Sequence, residues 1–230
     1  MARPRGTRSA LLITASVVVL AAVAGAVGWW LSSGDGAEDP HSAAAPGIPA
    51  TLCETTIPSR ALKQLVDSPA HDFSMRNLTG TYGGLTDPLG QGSGRTDEAI
   101  CVITIDGEAV QLAVTLQDQD ISRASITDRV QDKGSALAWG PAKGYINPGT
   151  TTIARLSLAC VLPKGAASER HRFVDVSVTG PRLRPDDARH RQAMADLTAD
   201  ITRYAIRQTA RCTNIDAPPA GRPTVGERNN

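Results

Sequence analysis

Aromatic side chains are scarce in this chain: of 230 residues only eight are aromatic, and beyond the first thirty they are Phe73, Tyr82, Trp139, Tyr145, Phe173 and Tyr204. That is a thin supply of stacking platforms for an enzyme that grips polysaccharide. Histidine is as sparse, limited to His41, His71, His171 and His190. No His-Glu-x-x-His pair is present to hold zinc, nor a Gly-x-Ser-x-Gly elbow, nor a serine three residues before a lysine. Excess charge is missing too. Residues 46–217 carry 19 lysines and arginines against 19 acidic residues. A neutral balance leaves no electrostatic footprint for nucleic acid and none for tight adhesion to an anionic surface. No Cys-x-x-Cys pair occurs either, since Cys53, Cys101, Cys160 and Cys212 are separated by 48, 59 and 52 residues. Such wide gaps speak against a zinc site, and four cysteines in an oxidising compartment pair most simply into two disulfides.

Charge is also absent from one long stretch, Ala10 to Leu31. At a helical rise of ~1.5 Å per residue its twenty-two residues reach ~33 Å, enough to cross a hydrocarbon core of ~30 Å. Arg3, Arg5 and Arg8 precede it, and Asp35, Glu38 and Asp39 come after it. Basic flanks stay in the cytoplasm, so a single-pass anchor is expected with residues 1–9 inside and everything after the span outside. The rival reading is a cleaved signal peptide, because Ala22-Val23-Ala24 and Ala24-Gly25-Ala26 resemble small-residue cleavage sites. The run continues past both through Trp29, Trp30 and Leu31, longer than a signal core of ~7–15 residues, and the tryptophan pair suits the outer interface. An uncleaved anchor over 10–31 is the expectation.

Residues 32–52 are rich in Gly, Ala, Pro and Ser without an apolar period and read as a flexible linker. Residues 217–230, with Pro218, Pro219 and Pro223, read as a disordered tail. The stretch between, 53–216, is long enough for one extracytoplasmic domain with a real core. It opens with a short helix from about Pro58 to Ser68, capped by Thr56 and stopped by Pro69. The glycine-rich stretch 70–97 reads as irregular, and its Gly90-Gln91-Gly92-Ser93-Gly94 run, preceded by no strand, reads as a loop and not a phosphate cradle. Asn77-Leu78-Thr79 matches a glycosylation acceptor triplet.

Ala99 to Ile105, then Asp106-Gly107, then Ala109 to Leu116 is a hairpin signal. Setting Ile105 opposite Glu108 puts Cys101 opposite Leu112, on the face that Val110, Val114 and Leu116 bury. Residues 118–149 are hard to read, with Trp139, Pro141 and Gly144 pointing to a turn-rich crossing. Ala154, Leu156, Leu158, Cys160 and Leu162 alternate with Arg155 and Ser157, and Val174, Val176 and Val178 with Asp175 and Ser177. A final helix runs from about Pro185 to Arg211, with acidic residues in its first turn, arginines near its end, and one stripe of Met194, Leu197, Ile201 and Tyr204. The fold class expected is α+β: an antiparallel sheet with both helices packed on one face. Both strand cysteines then face the helices. Of the three possible pairings, Cys53–Cys101 with Cys160–Cys212 is favoured, each bond joining a helix to the sheet.

The layout resembles a group of actinobacterial cell-envelope domains of unknown function, membrane-anchored or lipoprotein-type, with paired cysteines. The matching positions are Cys53 before its short helix, Cys101 in the hairpin, and Cys212 ending the long helix, over roughly residues 50–212. This chain departs from the lipoprotein members in having a span where they carry a lipid-attachment cysteine. The resemblance implies placement and fold, and no activity. The function expected is a non-catalytic binding or interaction module of the cell envelope, held to the membrane by residues 10–31. Its partner would be an envelope protein or small ligand, without cofactor, metal or nucleic acid, and its state monomeric. The alternative is an envelope-polymer hydrolase or transferase. One coincidence is set aside as a candidate anion site: Arg170, His171 and Arg172, with Arg189, His190 and Arg191.

Overall fold

The structure, a computed structural model, describes residues 47–66, 70, 72–78, 82–89, 97–117, 134–163, 172–180 and 188–227. The expected membrane span, most of the linker, the Gly90–Gly94 run, residues 118–133 and the Arg170-His171 pair fall outside these. Among the described residues no helix is long and apolar enough to cross a membrane.

The Asp106-Gly107 signal produces the expected turn: both residues have positive φ (49° and 83°), the pair a tight hairpin of right-handed twist requires. It joins β4 (Glu98–Ile105) to β5 (Glu108–Gln117), with Ile105 facing Glu108 and Cys101 facing Leu112. The alternation that marked the later strands is realised in β8 (Thr152–Cys160) and β9 (Arg172–Gly180), which pair with Leu156 opposite Val176. β9 also pairs with β5, setting Val178 beside Leu112 and Val174 beside Leu116. With β3 (Phe73–Asn77), β6 (Ser135–Trp139), β7 (Ala142–Asn147) and β10 (Thr224–Val225) this makes an eight-stranded, wholly antiparallel sheet, ordered β10-β6-β7-β8-β9-β5-β4-β3. One face is continuous apolar surface, and burying each leucine or valine there contributes about 1.5–3 kcal/mol.

Helix α2 (Ala188–Tyr204) lies over the β7–β9 side of that face and beside β10. The stripe of Met194, Leu197 and Ile201 is buried as expected, but so are Ala193, Ala195, Thr198, Ala199 and Thr202. A single stripe is not enough because the helix is covered on several sides. The sheet lies under it, and a second helix, α1 (Arg60–Leu65), packs against it. Small residues permit these close approaches, and the buried hydroxyls of Thr198 and Thr202 donate back to Met194 O and Thr198 O, at 2.8 and 2.7 Å.

Three expectations need correction. The short helix begins at Arg60, later than Thr56 or Pro58. Ile57 and Pro58 are instead a two-residue strand, β2, paired with β1 (Thr51–Leu52), and Ser59 N donates to Ala50 O at 2.9 Å. The linker therefore ends before Ile48, which is 6% exposed. Residues 135–147 form a hairpin around Gly140-Pro141 where a turn-rich crossing was expected. Asn77 of the acceptor triplet is engaged, its Nδ2 donating to Cys53 O at 3.4 Å and its Oδ1 accepting from Leu85 N at 3.3 Å, while Thr79 lies outside the described residues.

The larger correction concerns the tail. Trp139 Nε1 donates to Gly221 O at 3.1 Å, Gln192 Nε2 to Pro223 O at 3.1 Å, and Arg222 pairs with Asp196 at 2.5 Å. Thr224 and Val225 then add β10 to the free edge of β6. Residues 221–226 are thus a seated strap, and the domain extends past Asp216. Ending the chain at Asp216 is expected to cost about 2 kcal/mol in lost hydrogen bonds and exposed Trp139, or roughly 4–8 °C of melting temperature. An unchanged melt would show the strap to be passive.

Both disulfides connect as favoured: Cys53–Cys101, with Cα atoms 6.1 Å apart, and Cys160–Cys212, at 5.1 Å. Cys53 sits in a tight turn with Glu54, both at φ 57°, where Thr55 N closes onto Leu52 O at 3.0 Å. Cys212 comes directly after Arg211 (φ 53°), which turns the chain away from the helix end so that Thr213 N reaches Val161 O at 2.8 Å.

Candidate functional site

The last turn of α2 does not end as an ordinary α-helix. From Ala205 to Thr209 the chain widens into a π turn, with Ala210 N bonded to Ala205 O at 2.7 Å. An extra residue in the turn rotates the side chains beyond it, and such widenings often mark functional positions. Asp200, Arg203, Tyr204 and Arg207 fall at helical spacings of three and four, so their side chains share one face. Against that face stands the β2–α1 segment, anchored by β1 and by the Ser59 hydroxyl, which donates to Pro49 O. Between the two lies a cleft of about 400 Å³. Thr56, Ile57, Pro58 and Arg60 form one wall. Asp200, Arg203, Tyr204, Arg207 and Gln208 form the other.

On the helical wall Arg203 and Asp200 form an ion pair, and Arg203 is backed by an aromatic ring. Arg203 lies over Trp139, 4.9 Å from the ring centroid, and donates to Asp200 Oδ1. Cation–π contact and ion pair together fix the guanidinium. Asp200 is 6% exposed, yet its second oxygen, Oδ2, has no hydrogen-bond partner. A buried carboxylate oxygen without a donor carries a desolvation cost of about 1–3 kcal/mol. Burial is the main cause pushing the Asp200 carboxyl above its usual value, against the pull of Arg203 and Arg60. Tyr204 is raised as well, by burial first and then by Asp87.

This burial makes stability depend on pH. With its folded value above 3.8, Asp200 contributes most to stability when protonated, and that contribution is lost as pH rises through the raised value. The Asp200→Asn variant should therefore gain on wild type, in melting temperature, as pH climbs above 3.8. A difference that is flat with pH would contradict the assignment.

The opposite face of the sheet holds a second polar group, which is satisfied. Arg155 donates through Nε to both oxygens of Asp175 at 2.6 and 2.7 Å. Burial raises the Asp175 carboxyl, and Arg155 offsets this in part. Ser157 Oγ, beside Asp175 in register, is buried without a partner.

The six residues of the anticipated anion patch are not shown together. Arg170, His171 and the side chain of Arg172 lie outside the described residues. The Arg172 backbone pairs with Cys160, at the Cys212 end of the α2 layer, whereas Arg189, His190 and Arg191 occupy the first turn of α2, a helix length of ~25 Å away. His190 and Arg191 each have an interaction of their own. Among the described residues no group of three or more His, Cys, Asp or Glu side chains could hold a metal. The sequence did contain a signal for the cleft, the Asp200, Arg203, Arg207 spacing, but it reads as a helix-end charge pattern until Arg60 arrives across it. Known protein families, curated proteins and solved structures give no match to this chain.

Proposed function

We propose that the chain is a non-catalytic binding module of the cell envelope, anchored by residues 10–31 with its domain outside the membrane. It takes a small ligand, or an exposed group of an envelope partner, in the cleft between Arg60 and Arg207. The observation that supports this reading is the cleft's charge: Arg60, Arg203 and Arg207 gather on its walls, with Arg203 fixed by the buried Asp200 and by Trp139. Supporting the placement are the uncharged run behind three arginines and two disulfides, which persist in oxidising surroundings.

The test uses the full chain in intact cells. A photo-reactive residue replacing Gln208, at the cleft rim, should yield a covalent adduct by intact mass after irradiation. The same residue at Lys143, on the other face of the sheet, should not. Labelling no greater at 208 than at 143 would remove the cleft as the ligand site.

A further inference from the structure

We infer that this cleft takes an extended dicarboxylate, one carboxylate on Arg60 and the other on Arg207. This rests on the cleft being a ligand site and names the chemistry it takes. Two of its three arginines are uncommitted: among the described residues neither Arg60 nor Arg207 donates to a carboxylate, and both are exposed. Arg60 is moreover poorly placed for the fold. It is the first residue of α1, whose first turn has no acidic residue and no side-chain cap, because the Ser59 hydroxyl donates to Pro49 O instead. A cation at that position opposes the helix dipole, and local rules of this kind are broken where a residue serves a site. Two free guanidiniums on opposite walls also repel each other until anionic groups meet them.

The third arginine lets an anion enter beside Asp200. The Asp200 side chain is 5% exposed and that of its partner Arg203 34%, so the pair turns its guanidinium to the cleft and keeps its carboxylate behind. Asp200 is neutralised where it stands and takes no part in the contact. Spacing then selects among dianions. Arg60 lies level with Asp200, whose carboxylate feels its charge. Arg207 comes two turns later on the helical wall, roughly 10 Å along the axis. Cations so spaced suit two acidic groups at the ends of a chain better than a single phosphate, which gathers its charge at one point. Each guanidinium fork then meets its own carboxylate in a paired contact. A cleft of about 400 Å³ is ample for such a chain, and the half-buried Pro58 and Tyr204 offer its methylenes apolar surface.

Titration calorimetry on the full chain in detergent decides this with three probes. Adipate carries a carboxylate at each end of its chain, hexanoate has the same length with a carboxylate at one end, and inorganic phosphate puts its charge on one group. Adipate is expected to bind about tenfold tighter than either of the others. Arg60→Gln and Arg207→Gln should each weaken adipate by about tenfold, to the level of hexanoate. Hexanoate, which has either arginine to use, should weaken by about twofold at most. Arg60→Gln should also melt no lower than wild type, since it removes a cation from a helix start. A lower melt would show Arg60 holding the fold, against this reading. Adipate no tighter than hexanoate would overturn the two-point contact, and inorganic phosphate as tight as adipate would overturn the spacing. Either result, or silence from all three probes, leaves the cleft a ligand site of other chemistry if labelling in cells is stronger at 208 than at 143. Silence without that labelling would remove the binding reading itself.

Discussion

Replacing Gly144 by alanine is expected to abolish a stable fold or to lower the melting temperature by about 10 °C or more, corresponding to about 4 kcal/mol. Gly144 lies on β7 opposite Leu156 of β8, on the core face. A Cβ there would stand 1.7 Å from Arg155 O and 2.6 Å from Arg155 C. Both are backbone atoms in a paired strand, so no side chain can swing aside. The strands would have to part, opening a ladder that runs from Lys143–Ser157 to Asn147–Ile153. Gly107→Ala is the control. Its φ of 83° strains alanine, but nothing lies within 4 Å, so about 1 kcal/mol is expected. A Gly144→Ala melt no lower than that of Gly107→Ala would mean the approach of β7 and β8 is wrong.

Removing Cys160 and Cys212 together, as alanines, should cost about 4 kcal/mol if the bond acts by restricting the unfolded chain across its separation of 52 residues. For a domain of this size that is roughly 8–16 °C. The local geometry would persist in part, because Thr213 N and Oγ1 both reach Val161 O, and Asn214 bridges Val161 N and Ala159 O. A loss near the full value in spite of these bonds would place the effect in the unfolded state. Cys53–Cys101 should stay intact, since β4 and β8 are separated by β5 and β9. Three strand steps of ~4.8 Å part them sideways by roughly 14 Å, and Cys160 lies further along β8 than Ala154, the residue level with Cys101, so the two are beyond disulfide reach. A melt unchanged by the double substitution would contradict the staple.

Where the chain's local chemistry is sufficient, the sequence is legible. Asp106-Gly107 sets the β4–β5 register unaided, and the alternation of Ala154, Leu156 and Leu158 with Arg155 and Ser157 shows which way Cys160 points. Those two facts lead to the disulfide pairing. The β6–β7 hairpin was missed because its core positions include Ala142 and Gly144, residues too small to signal a strand; they are small because β8 comes so close. The strap was missed because it is held mainly through backbone carbonyls of Gly221 and Pro223, which any sequence possesses. The cleft was half visible. Asp200, Arg203 and Arg207 share a helix face by spacing alone, but the opposite wall, with Arg60, comes from residues some 140 positions earlier.

Whether the cleft stands outside the membrane, on a chain that keeps residues 10–31, is decided most directly by limited proteolysis of intact spheroplasts read by non-reducing intact mass. The proposed arrangement predicts cleavage within residues 32–46, release of a domain bearing both disulfides, and a membrane-held fragment that still contains Ala10 to Leu31. A mature protein beginning near Gly25 or Val27, or a domain protected from the protease until the membrane is broken, would contradict it.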